Sequence, residues 1–164
     1  MRKSITSAIV AAAAAAVLSG TGIAAATAHS AATGTEHFQM MTTSPTGSNA
    51  GIIASGVFTA PGVDHEGKGN TATFVFSNGT VSLKHSAGTG QQSFNPKTCL
   101  LTVNEHGTYK LTGGTGAYKG ITGNGKYKLS ILAIGPSKGG KCSKTGAPVA
   151  FHQLINASGP VTLP

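Results

Sequence analysis

The chain has no tryptophan, a single arginine at position 2 and only four acidic residues, Glu36, Asp64, Glu66 and Glu105. So few carboxylates argue against hydrolysis by a carboxylate pair, which needs two acids at a set separation. The nearest approach in sequence is Asp64 with Glu66. No H-x-H or H-E-x-x-H spacing occurs, so no metal site is expected. Asp64-His65-Glu66 is the one dense run of ligand-type side chains. Three successive residues cannot all face one ion, and the run reads as a solvated loop tip. No Ser, His and Asp set reads as a nucleophile-elbow triad. Nothing in the chain calls for a cofactor. Long apolar runs at helical spacing are also missing, which turns attention from helices to strands.

What is present begins with an export signal. Arg2 and Lys3 form a charged start, Ala8 to Leu18 an apolar core, and Ala26-Thr27-Ala28 an A-x-A site. Cleavage is expected after Ala28, and an uncleaved anchor is the alternative. There is no twin arginine, and Leu18-Ser19-Gly20-Thr21 carries Thr where a lipoprotein has its lipidated Cys. The general export route and a secreted chain without a transmembrane segment follow as expectations. Residues 29–36 read as a flexible lead and residues 37–164 as one domain.

Beyond position 28 there are ten lysines against the four acids. Lys138, Lys141 and Lys144 fall in one stretch, and Lys126 and Lys128 share a strand face. Such a surface attracts polyanions, including anionic cell-envelope polymers. With no arginine there and no aromatics among the clustered lysines, specific nucleic-acid readout is unsupported. The two cysteines, Cys99 and Cys142, are expected to form one disulfide in an oxidising compartment.

Twenty-four glycines in the whole chain, with abundant Thr and Ser, predict many short strands. Runs with strand character cover residues 38–43, 52–59, 71–77, 80–86, 98–105, 108–112, 126–134 and 149–157. Residues 60–70, 87–97 and 135–148 read as loops, Glu105-His106-Gly107 as a tight return and 160–164 as a tail. Asn78-Gly79 between alternating runs is a type I′ hairpin signal. Period-two alternation implies one buried and one wet face, as antiparallel sheets allow. The fold class is all-β, a barrel of about eight strands or a sandwich.

The stretch Gly113-Gly114-Thr115-Gly116-Ala117-Tyr118-Lys119-Gly120-Ile121-Thr122-Gly123-Asn124-Gly125 holds six glycines in thirteen residues. It reads as turn, short strand and turn. Gly120 to Lys126 and Gly135 to Lys141 both have phosphate-loop spacing. The next residues are Tyr127 and Cys142 rather than Ser or Thr, and no helix pattern follows, so both are rejected. The Gly-Gly-Thr-Gly-x-Tyr-x-Gly-x-x-Gly pattern resembles the repeat signature of the allene oxide cyclase and dirigent barrel superfamily. That resemblance covers about fifteen residues and implies an eight-stranded antiparallel barrel, here in a secreted bacterial relative. No catalytic motif of the plant enzymes aligns, and none is carried over.

Face periodicity places His85, Glu105, Tyr109, Tyr127 and Gln153 on the apolar faces of their strands. A greasy interior with a few polar groups is the composition of a small-molecule pocket. Three readings follow: non-covalent binding of a small apolar or phenolic molecule, an isomerase or cyclase using the same cavity, or a cationic extracellular or wall-associated protein without a pocket.

Overall fold

A computed structural model describes residues 31–164. The expected signal at 1–28, with His29 and Ser30, lies outside the described residues. The strands are β1 (Ala32–Thr42), β2 (Asn49–Ser55), β3 (Ala60–Glu66), β4 (Thr71–Phe76), β5 (Gly79–His85), β6 (Thr89–Asn95), β7 (Leu100–Gly114), β8 (Thr122–Ile134), β9 (Ser137–Lys138), β10 (Lys141–Cys142) and β11 (Ala150–Leu163). They run in the order β5-β4-β3-β2-β1-β11-β8-β7, and β7 returns to pair with β5. The result is a closed, eight-stranded antiparallel barrel. The ninth strand of the sheet, β6, lies outside the closed ring.

The length of β7 explains the extra strand. Its second half, Tyr109 to Gly114, pairs with β5 and closes the ring. Its first half, Leu100 to His106, runs on past the end of β5 and pairs with β6 instead. The matching ends of β8 and β11 run on with it, in the register Leu100, Ile134, Ala150. A small hairpin, β9 and β10, hangs beyond β8. The Cys99–Cys142 disulfide ties that hairpin to the start of β7.

Alternation fills the interior. Phe38 and Met40 of β1, Ile52 of β2, Phe74 and Phe76 of β4, Val81 of β5 and Leu111 of β7 point inward and are buried. Removing one such large apolar side chain from water is worth about 1.5–3 kcal/mol. One end of the ring is plugged. A single 3-10 turn, Gly116–Tyr118, carries Tyr118 into the barrel. There it packs on Phe58 and Phe76 at ring distances of 4.7 and 5.3 Å. The turn lies close against the β4–β5 hairpin: a Cβ on Gly79 would sit 2.1 Å from the Thr115 carbonyl oxygen, and one on Gly116 2.2 Å from that of Asn78. Only glycine fits at this approach.

Several local expectations are corrected. Ala32 to Glu36, assigned to a flexible lead, are strand, paired with β11 from Leu163 to Gly159. Their threonines face outward and the Glu36 side chain is fully buried. Residues 60–66 are a ring strand, not a loop. Pro61 fits because it lies where β3 pairs with β2 and β4 has not yet joined. Residues 89–95 form β6. Residues 160–163 continue β11. The expected return at Gly107 does not exist: β7 runs straight through, and Gly107 leaves room for the Tyr127 ring, whose Cε1 would lie 2.5 Å from a Cβ. Between β4 and β5 the turn residues are Ser77 and Asn78, since Gly79 pairs with Phe76. Asn78 has no positive φ, which excludes type I′.

Candidate functional site

The other end of the ring is open. A cavity of about 580 Å³ enters it, walled by Phe38 and Met40 of β1, Ala72 and Phe74 of β4, Leu83 of β5, Leu129 of β8 and Ile155 and Ala157 of β11. Loop residues Pro45 to Ser48 and Gly67, with Asn49 at the start of β2, form part of the rim. The space exists because several inward positions are alanine: Ala50, Ala72 and Ala157 all line it. Its volume lies within the roughly 300–1,000 Å³ of small-molecule sites.

His85, Glu105, Tyr109, Tyr127 and Gln153 all line this one cavity. Two acids missed by sequence reasoning line it as well. Asp64, expected on a solvated loop tip, is 6% exposed and faces inward from β3. Glu66 sits at the end of the same strand. The signal that misled was the face pattern of β3: Ala60, Gly62 and Asp64 point in, while Val63 points out. A chain reader looking for apolar-in, polar-out finds the reverse.

The polar groups form two sets. In the first, His85 Nε2 lies 2.9 Å from Glu66 Oε1, and His85 Nδ1 lies 3.1 Å from the Ser86 carbonyl oxygen. Both ring nitrogens face acceptors, an arrangement that a doubly protonated ring satisfies. Asp64 stands beside them, and its Oδ1 has no partner. Burial, followed by the Glu66 charge, pushes the Asp64 carboxyl up to about 7, and His85 partly offsets this. In the second set, the Tyr127 hydroxyl donates to Glu105 Oε1 and to the Ser86 carbonyl oxygen, each at 3.2 Å. Burial and then the Glu105 charge raise the Tyr127 phenol above its ordinary value. The His85 and Tyr127 rings meet edge-on at 6.0 Å, joining the two sets. Tyr109, deeper in the barrel, has a buried hydroxyl with no partner, and burial followed by the Glu36 charge pushes its phenol up to about 12.

A second trough of about 510 Å³ lies on the sheet extension, lined by Phe94, Leu101, Lys144 and Phe151, and shares Pro45 with the first. Gly135 to Gly139 has G-x-S-x-G spacing, but Ser137 opens an exposed two-residue strand rather than a strand-to-helix elbow. Among the described residues no three His, Cys, Asp or Glu side chains converge as a metal site, and no helix is long and apolar enough to cross a membrane. Comparison of the chain with protein-family models, curated proteins and solved structures gave no match.

Proposed function

We propose that this chain is a secreted barrel protein, akin to the allene oxide cyclase and dirigent superfamily, that holds a small apolar or phenolic molecule non-covalently in the open end of its ring. The carrying observation is the cavity itself: aromatic and aliphatic walls with two buried polar side chains, Asp64 and Tyr109, whose hydrogen-bonding capacity is unused. A bound molecule would supply what the protein does not, because buried polar groups are otherwise paired. The eight-strand closure supports the family kinship, and the Cys99–Cys142 disulfide supports export to an oxidising compartment. The lysines all lie outside the cavity, where they favour contact with anionic envelope polymers.

A neutral apolar dye such as N-phenylnaphthylamine tests the reading. Its fluorescence should rise on mixing with the protein and fall back in Ala72→Phe with Ala157→Phe, a pair of wall substitutions that narrows the cavity, with the circular dichroism unchanged. Equal enhancement in both proteins would place the dye elsewhere and remove the reading.

One observation favours an isomerase or cyclase as the second reading. A carboxyl raised to about 7 in a cavity, beside an imidazole, is suited to proton transfer near neutral pH. His85→Ala and Asp64→Asn separate the two. A catalyst loses turnover in these variants, whereas a binder loses affinity alone.

A further inference from the structure

Charge is divided between the inside and the outside of this barrel. All ten lysines of residues 31–164 are exposed and none lines the cavity. Three of the four carboxylates, Asp64, Glu66 and Glu105, do line it. Two of these have partners: Glu66 holds His85, and Glu105 takes the Tyr127 hydroxyl. Asp64 has none on Oδ1, although it is nearly fully buried. The one cation on the wall, when His85 is protonated, is already committed to Glu66 and the Ser86 carbonyl. The space therefore offers acceptors and negative charge with no free cation to balance them. Around it stand aromatic rings: Phe38 lies 5.1 Å from Phe74 and 6.0 Å from Tyr109, centre to centre. Aromatic faces attract organic cations once water is displaced.

Resting on the binding reading above, we propose that the molecule taken up is an organic cation, a protonated amine on an apolar body. The ammonium group is held by Asp64 near the Glu66–His85 pair, and the apolar body lies against Phe38, Phe74 and Leu129. An anionic ligand is disfavoured by the same carboxylates, because like charges brought together in a dry site repel.

The test uses three matched probes, naphthylethylamine, naphthylethanol and naphthylpropanoate, each displacing the neutral dye from the intact protein at pH 8. The displacement readout ignores probes that stick to surface lysines. The amine should displace the dye about tenfold or more better than the alcohol, and the propanoate worst. Asp64→Asn should bring amine and alcohol to about the same affinity while leaving the alcohol's own affinity in place. An alcohol that competes as well as the amine in the native protein overturns the cation assignment and leaves the binding reading standing. An amine preference that survives Asp64→Asn overturns the placement of the ammonium group at Asp64. Failure of the dye and all three probes to bind overturns both.

Discussion

Asp64→Asn also tests the reading of the open end through stability alone. In the folded protein the carboxyl is raised from 3.8 to about 7, first by burial and second by the Glu66 charge. The folded value lies above the unfolded one, so ionisation works against folding. Below about pH 4 both states hold the proton and the group contributes no difference. Between about pH 4 and pH 7 the unfolded chain gives up its proton while the folded chain keeps it, and stability falls. Above about pH 7 the loss is complete. About three units at roughly 1.4 kcal/mol each set a ceiling of about 4 kcal/mol. Water entering through the mouth screens part of this, and about 2 kcal/mol is expected to be realised.

The variant has no proton to lose and escapes the whole effect. Urea unfolding followed by far-ultraviolet circular dichroism is the assay, since the chain has no tryptophan to report. Run at pH 4 and pH 8, it should show two proteins of similar stability at the acid end and a variant about 2 kcal/mol more stable at the alkaline end. Titrating groups remote from Asp64 are common to both proteins and cancel in the difference, leaving Asp64 and its coupling to Glu66 and His85. An identical gap at both pH values would refute the argument. A wild type that gains on the variant as pH rises would refute it more sharply, because that is the behaviour of a carboxylate with a satisfied partner, with His85 the obvious candidate.

Other expectations follow from single contacts. Replacing Cys99 and Cys142 with serine opens a link spanning 43 positions and should cost about 4 kcal/mol by chain entropy, read as a lower urea midpoint that reductant no longer shifts. Gly79→Ala puts a methyl 2.1 Å from the Thr115 carbonyl oxygen and should destabilise by roughly 1–3 kcal/mol, whereas Gly69→Ala, with open space around it, should cost about 1 kcal/mol; similar losses for the two would contradict the close approach. All three tyrosines, Tyr109, Tyr118 and Tyr127, have phenols raised by burial and nearby carboxylates. Their phenolate absorbance should therefore develop above the ordinary value of about 10, with Tyr109 near 12. Tyr127→Phe removes the donor that Glu105 and the Ser86 carbonyl share and should cost about 1 kcal/mol in the same unfolding assay.

The strands that were legible from sequence are those whose inward residues are large. Val81 and Leu83 in β5 and Tyr127 and Leu129 in β8 alternate with polar or charged neighbours, and Phe74 and Phe76 in β4 stand either side of the smaller, outward Val75, so the period is plain. Of the two strands in the large sheet that read as loops, β3 and β6, β3 contributes Asp64 and Glu66 to the cavity. Its small inward residues, Ala60 and Gly62, are not part of the cavity lining, and Asp64 is the inward residue that is. An inward acid following small inward residues erases the apolar-in signal. Gly107 misled for a related reason. It reads as a turn, but its missing side chain is space for the Tyr127 ring, and that contact is made across strands and not along the chain.

The two ends of the ring treat a buried acid differently, and the contrast bears on which end is functional. At the plugged end Glu36 is fully buried, and burial raises its carboxyl. Its Oε2 nevertheless accepts the Phe58 amide at 3.1 Å, and the amides of Phe58, Val57 and Ser55 oppose the effect of burial. That acid fastens the connection between β2 and β3 through one oxygen, while its Oε1, like Asp64 Oδ1, has no partner. The Gly-rich stretch lies at this same end, and no residue between Tyr109 and Tyr127 lines the cavity. At the open end the Asp64 carboxyl receives no amide, and only the partial offset from His85 favours its charged form. By the stability argument above, an asparagine there would serve the barrel better at alkaline pH. A group that folding does not use, placed in a cavity that packing does not fill, is the observation on which the binding proposal rests.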